Sequence, residues 1–223
     1  MILIIRGHLR NSFETQDLYN FIEEMYNTFS DLKIFIHTWN IFSNNISWRH
    51  INVNNTQVNK ELIHKYFGKF SSCIKHIIID NDNEIKLIGN LVGKICKSDT
   101  PIIGWKNYWY GKYKITEYIY NQQTYNEEII VNLRFDLFSN SNNFNKNIIL
   151  DFIKNNYGVK FSRNKFLFDY EKEGIDNVYI GNIDTMYKLT HKFYIDLDNI
   201  ILQNSDYKNQ EFLVPIINSQ IFN

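Results

Sequence analysis

Four short apolar runs limit what this chain can become: "MILII" at residues 1–5, "LKIFIHTW" at 32–39, "IKHIIID" at 74–80 and "EEIIVNLRFDLF" at 127–138. They are rich in isoleucine, valine and phenylalanine, side chains that pack well on a pleated surface, and they are short for buried helices. The first run does not alternate apolar with polar residues, which is the pattern of a strand covered on both faces. The other runs read as further buried strands.

The segments between them carry a different period. Leu18, Phe21, Ile22, Met25 and Phe29 recur at three- and four-residue spacing and predict a helix over roughly 15–29. "KELIHKYFGKF" reads as a second helix. Ile88, Leu91, Val92 and Ile95 mark a third, ended by "KSDTP", and Trp105, Tyr108, Trp109, Lys112, Tyr113 and Thr116 mark an aromatic-rich fourth. After the fourth run come a polar loop, a strand near "KFLFDY", a short strand at "NVYIG" and a helix from about Asp184 to Asp196. Residues 41–57 have little periodicity and many asparagines; a loop of that length in a compact domain points to a binding role. Strands alternating with helices imply a largely parallel sheet, because parallel neighbours need crossover connections. The expected fold is α/β and Rossmann-like, with helices on both faces of the sheet and one domain over residues 1–223.

Composition removes several function classes. Lys plus Arg and Asp plus Glu are equal at 24 each, so no global field attracts nucleic acid, and any anion recognition must be local. Cys73 and Cys96 lack CxxC spacing and the histidines form no HxxxH pattern, which argues against a disulfide framework or a structural zinc site. "MILII" is too short for a signal-peptide core, and no run approaches the roughly 18 apolar residues of a membrane span. A cytoplasmic protein is expected, with room for peripheral attachment to a membrane.

The polar residues at the ends of the runs carry the functional signal. In open α/β sheets ligands bind beyond the carboxyl ends of the strands. Arg6, Gly7 and Arg10 follow the first run, His37 and Trp39 end the second, and Arg134 and Asp136 end the fourth. "RFD" alone admits three readings: a structural ion pair, a turn cap or a ligand site. "RGHLR" could bracket a phosphate between two arginines with glycine giving close backbone approach, or could be a tight turn with solvated neighbours. His37 and Trp39 read equally well as core residues, and the aromatic stripe from Trp105 to Tyr113 as core or as a stacking surface for a sugar or base.

Four segments together resemble a group of small GT-A-type glycosyltransferases of surface-glycan genes in bacteria and large DNA viruses: "IIRGHLRNSF", "LKIFIHTWN", "WYGKYKITEYIYNQQTYNEEIIVNLRFDLF" and "DNVYIGNIDTMYKLTHKF". The resemblance implies a nucleotide-sugar donor and a glycan acceptor. Arg134-Phe135-Asp136 is similar to the metal-binding DxD of that fold with its first carboxylate replaced by a cation. It implies direct neutralisation of a diphosphate by Arg134, with Arg6, Gly7 and Arg10 alongside, or else a Mn²⁺ or Mg²⁺ ion or a ribose held by Asp136. "YIGNIDTM" resembles an acceptor-side segment, with Gly181 giving room and Asn182 or Asp184 offering polar contacts, although Asp184 also suits a helix cap. Asp176 and Glu211 are the candidate catalytic bases. The missing first carboxylate also admits a non-catalytic α/β nucleotide-binding or interaction module.

Overall fold

The computed structural model describes residues 1–46, 52–125, 128–139, 145–168, 175–207 and 209–223. Its centre is a six-stranded sheet built from β1 (Ile2–Arg6), β2 (Lys33–Trp39), β5 (Ile74–Asp80), β6 (Ile129–Arg134), β7 (Lys165–Phe166) and β8 (Tyr179–Asn182), in the order β5-β2-β1-β6-β8-β7. The first four strands in that order are mutually parallel. β8 runs antiparallel to both β6 and β7.

Along β1 the side chains alternate between two cores, which is why the sequence shows no polar alternation there. Leu3 and Ile5 face α1 (Asp17–Thr28), α2 (Lys60–Phe67) and α4 (Lys146–Asn156), while Ile2 and Ile4 face α3 (Ile102–Asn121), α5 (Ile183–Gln203) and α6 (Leu213–Phe222). All four aliphatic side chains are fully buried. Each contributes on the order of 1.5–3 kcal/mol relative to exposure. α3 and α5 lock together through flat ring stacking, with Trp109 on Phe193 at 3.9 Å and Tyr113 on Tyr194 at 4.3 Å.

The four long runs form the strands expected of them, and the helices expected near 15–29, 60–70 and through the aromatic stripe are α1, α2 and α3. Residues 81–100 differ. Gly89 at φ +77° and Gly93 at φ +107° cannot continue a right-handed helix, and the segment follows turns instead. Of its apolar residues only Ile95 is buried, while Val92 is 78% exposed.

Residues 41–57 include a hairpin of β3 (Ile41–Ser43) and β4 (Asn54–Gln57) rather than loop alone; 47–51 lie outside the described residues. The strand expected near "KFLFDY" is only Lys165–Phe166, and Asp169 and Tyr170 lie outside the described residues. α4 stands in the stretch read as a polar loop, capped by Asn145 and burying Ile149, Leu150 and Ile153. The helix expected from Asp184 to Asp196 continues as α5 to Gln203, and α6 follows it.

Candidate functional site

The parallel register brings the polar strand ends together. Arg6 lies beside His37 of β2 on one side and beside Arg134 of β6 on the other. The chain then turns at Gly7, whose φ of +96° favours glycine and whose N–H donates to His37 O at 3.1 Å. Thr38 Oγ1 donates to Gly7 O at 2.9 Å, and Arg10, itself at φ +51°, donates its N–H to Phe42 O at 2.8 Å. The "RGHLR" turn is thus pinned to the adjoining β2–β3 segment at both ends.

Beyond the strand ends opens a cleft of about 1000 Å³, counting its solvent-open mouth. Arg6, Gly7, Arg10, Arg134, Asp136, Asp176 and Glu211 all line it. The far wall comes from α3, from Gln210 and Glu211 in the short turn before α6, and from Asn44 and Ile46. Of residues 41–57, for which a binding role is expected, Asn44 and Ile46 line this cleft.

Asp136 sits at the centre of the charged floor with only 4% exposure. Arg134 grips it twice, Nε donating to Oδ1 at 2.7 Å and Nη2 to Oδ2 at 2.6 Å, and Arg10 Nη1 donates to the same Oδ2. Arg134 also reaches Asn177 Oδ1 at 3.2 Å. The buried carboxylate keeps the Arg134 guanidinium charged against the opposing effect of desolvation. "RFD" is an ion pair, and it holds two arginines from different strand ends on one anion.

A second charged group lies deeper. Arg6, 1% exposed, donates from Nε to Asn132 Oδ1 and from Nη2 to Asp176 O, both at 2.9 Å, and its guanidinium lies 4.3 Å from the Tyr108 ring centre. Lys112 is fully buried against Trp109 at 3.9 Å and Tyr108 at 4.1 Å, with its Nζ 3.7 Å from the Asp176 carboxylate. Burial pushes the Asp176 carboxyl up, but Lys112 and Arg6 more than offset it and hold it below the usual range. Asp176 thus serves as the counter-charge of Arg6 and Lys112, while burial and Arg6 push the Lys112 ammonium well below its usual range.

His8 lines the cleft and stacks on Trp39 at 5.7 Å. Burial, reinforced by Arg10, lowers its pKa from 6.5 to about 3, so the ring is neutral at neutral pH. His37 Nε2 lies 3.2 Å from Asp80 Oδ2, and Gly111 of α3 is what lets the helix lie against this ring: a Cβ there would stand 2.6 Å from His37 Nδ1.

Among the described residues, five that line the cleft hold a buried polar atom without a hydrogen bond: Arg6 Nη1, His8 Nε2, His37 Nδ1, Asn107 Oδ1 and Gln210 Oε1; Asn40, Trp109, Asn132 and Tyr179 hold others away from its lining. Each such atom costs about 1–3 kcal/mol. Those at the cleft are placed where a bound ligand could supply the missing partners.

Gly181, Asn182 and Asp184 are placed elsewhere. Because β8 is antiparallel, Asn182 pairs with Ile129 at the opposite end of β6 from Arg134. Asn182 caps α5 through a reciprocal box with Thr185, Asp184 pairs with Lys188 at 2.8 Å on the surface, and Gly181 makes room for Asn164 and Thr185. They do not line the cleft. Conversely, His8, Asn107 and Gln210 line it without having been singled out as ligands, as does Tyr108 of the aromatic stripe; His8 was legible inside "RGHLR", whereas Asn107 and Gln210 carry no sequence signal.

Among the described residues no group of three or more His, Cys, Asp or Glu side chains is disposed to hold a metal ion. Asp136 already takes arginine donors on both oxygens, so the donor set does not suit the Mn²⁺ or Mg²⁺ suggested for it. No helix among the described residues is long and apolar enough to cross a membrane. No protein-family model matches the chain, and no curated protein matches it.

Proposed function

We propose that the chain is a GT-A-type glycosyltransferase that transfers a sugar from a nucleotide-sugar donor to a glycan acceptor. The observation that carries this reading is the gathering of Arg10 and Arg134 on Asp136, beside Arg6, at the carboxyl edge of a mostly parallel sheet. A diphosphate bridging these arginines would receive charge-assisted, forked hydrogen bonds as negative charge develops on it during sugar departure. The arginines supply this compensation without a step routed through a metal. For an inverting reaction Glu211, which lines the cleft, is the base to test first; a retaining reaction needs none.

Calorimetry with UDP and GDP tests the reading. Each charge-assisted contact is worth about 1.5–3 kcal/mol, so Arg10→Ala and Arg134→Ala should each weaken affinity by roughly tenfold or more, with no requirement for added Mn²⁺. Unchanged affinity in folded variants removes these arginines from the site. A non-catalytic nucleotide-binding module is favoured by one observation, that Asp136 and Asp176 are both engaged by cations. Nucleotide binding without transfer or hydrolysis across a panel of nucleotide sugars would select that reading.

A further inference from the structure

The cleft has two chemically different walls. The strand ends supply the cations, whereas the wall made by α3 and the Gln210–Phe212 turn supplies amides and rings beside the single carboxylate of Glu211. Asn107 and Gln210 are each 6% exposed, both line the cleft, and Asn107 Oδ1 and Gln210 Oε1 have no donor among the described residues. They come from α3 and from a turn about a hundred residues later, so a single local irregularity does not account for both. Trp105 and Tyr108 line the same wall beside Asn107.

An amide offers a donor and an acceptor on adjacent atoms, and a sugar hydroxyl both donates and accepts. A phosphate has no donor for an unpaired carbonyl oxygen, so this wall does not duplicate the arginine floor. We infer that Asn107 and Gln210 form a hydroxyl-recognition subsite that holds the sugar portion of the ligand while Arg10 and Arg134 hold its anionic portion. The inference rests on the glycosyltransferase reading for its choice of ligand.

Asn107→Leu and Gln210→Met test it, each replacing an unpaired buried amide by an apolar side chain of similar size. Because no internal hydrogen bond of those oxygens is lost, melting temperatures should hold or rise. The probes are UDP, UDP-glucose, UDP-N-acetylglucosamine, GDP, GDP-mannose, and free glucose and N-acetylglucosamine, titrated calorimetrically. The expected result is that wild type binds at least one sugar nucleotide more tightly than its parent diphosphate, and that each variant loses about tenfold for that sugar nucleotide while keeping its affinity for the diphosphate.

Diphosphate binding in wild type with no sugar increment, or an increment that survives both substitutions, overturns the subsite and leaves the glycosyltransferase reading standing. Binding of a free sugar that the variants abolish, with no diphosphate binding, overturns the glycosyltransferase reading and retains the subsite. Binding of none of the probes overturns both.

Discussion

Replacing Asp136 by asparagine keeps the volume and one acceptor but removes the charge that two guanidinium groups share. In the folded protein the carboxylate makes a forked pair with Arg134 and a further bond with Arg10 at 4% exposure. Breaking a buried pair costs about 3–5 kcal/mol. The Arg10 and Arg134 side chains retain 21% and 16% exposure, so water screens part of the loss and the lower end applies, about 3 kcal/mol. For a chain of this size that lowers Tm by about 6–12 °C. A diphosphate can take the place of the missing carboxylate between the same arginines. At about 100 times its Kd it should return about 2.7 kcal/mol, nearly the whole loss. Thermal melts of wild type and Asp136→Asn, with and without pyrophosphate, measure both quantities. A variant as stable as wild type would refute the shared-charge account. A destabilised variant that pyrophosphate does not rescue would show that these arginines do not face an anion site.

His8 should give the protein an acid-sensitive limb: its pKa of about 3 in the fold lies below the ordinary 6.5, so the unfolded chain takes up the proton first as pH falls. Stability present above about pH 6.5 is then lost toward pH 3 at up to about 1.4 kcal/mol per unit, and urea midpoints for His8→Gln should show a flatter slope; parallel slopes would count against it. Glu211→Gln should reduce transfer by about 10² to 10⁴ with donor affinity unchanged, whereas Asp176→Asn should lower Tm by removing the carboxylate beside Lys112, Arg6 keeping its bond to the backbone carbonyl of residue 176. Turnover, calorimetry and melts on both variants separate the roles, and near-normal transfer by Glu211→Gln would remove it as the base.

The strand cores were legible because burial on two faces leaves a mark that needs no partner to read: Ile2 to Ile5 announce it unaided. The cleft floor was legible for the same reason in reverse, since Arg6 and Arg134 interrupt apolar runs at a place where parallel topology collects strand ends. Strand direction was not. Nothing in "NVYIG" distinguishes a parallel from an antiparallel strand, because direction is set by the connection, and the antiparallel course of β8 carried Gly181, Asn182 and Asp184 away from the cleft. The helix read over Ile88 to Ile95 gave weight to apolar spacing over Gly89 and Gly93, whose positive φ decides the matter. Asn107 and Gln210 were beyond reach, since their distinction is a missing partner, a property of three-dimensional surroundings.

The pinned turn from Gly7 to Arg10 has a kinetic consequence. Arginine side chains carry up to about 2 kcal/mol of rotamer entropy each, which a flexible site surrenders when the ligand arrives. Here the backbone bonds to His37 and Phe42 and the shared Asp136 carboxylate have already immobilised Arg10 and Arg134. That loss of freedom therefore belongs to folding, and an anion bound here would find the two guanidinium groups already held close together. Association would then be limited by diffusion and by release of those groups from Asp136 rather than by a search among side-chain conformers, and a tighter ligand would be recognised by its slower departure.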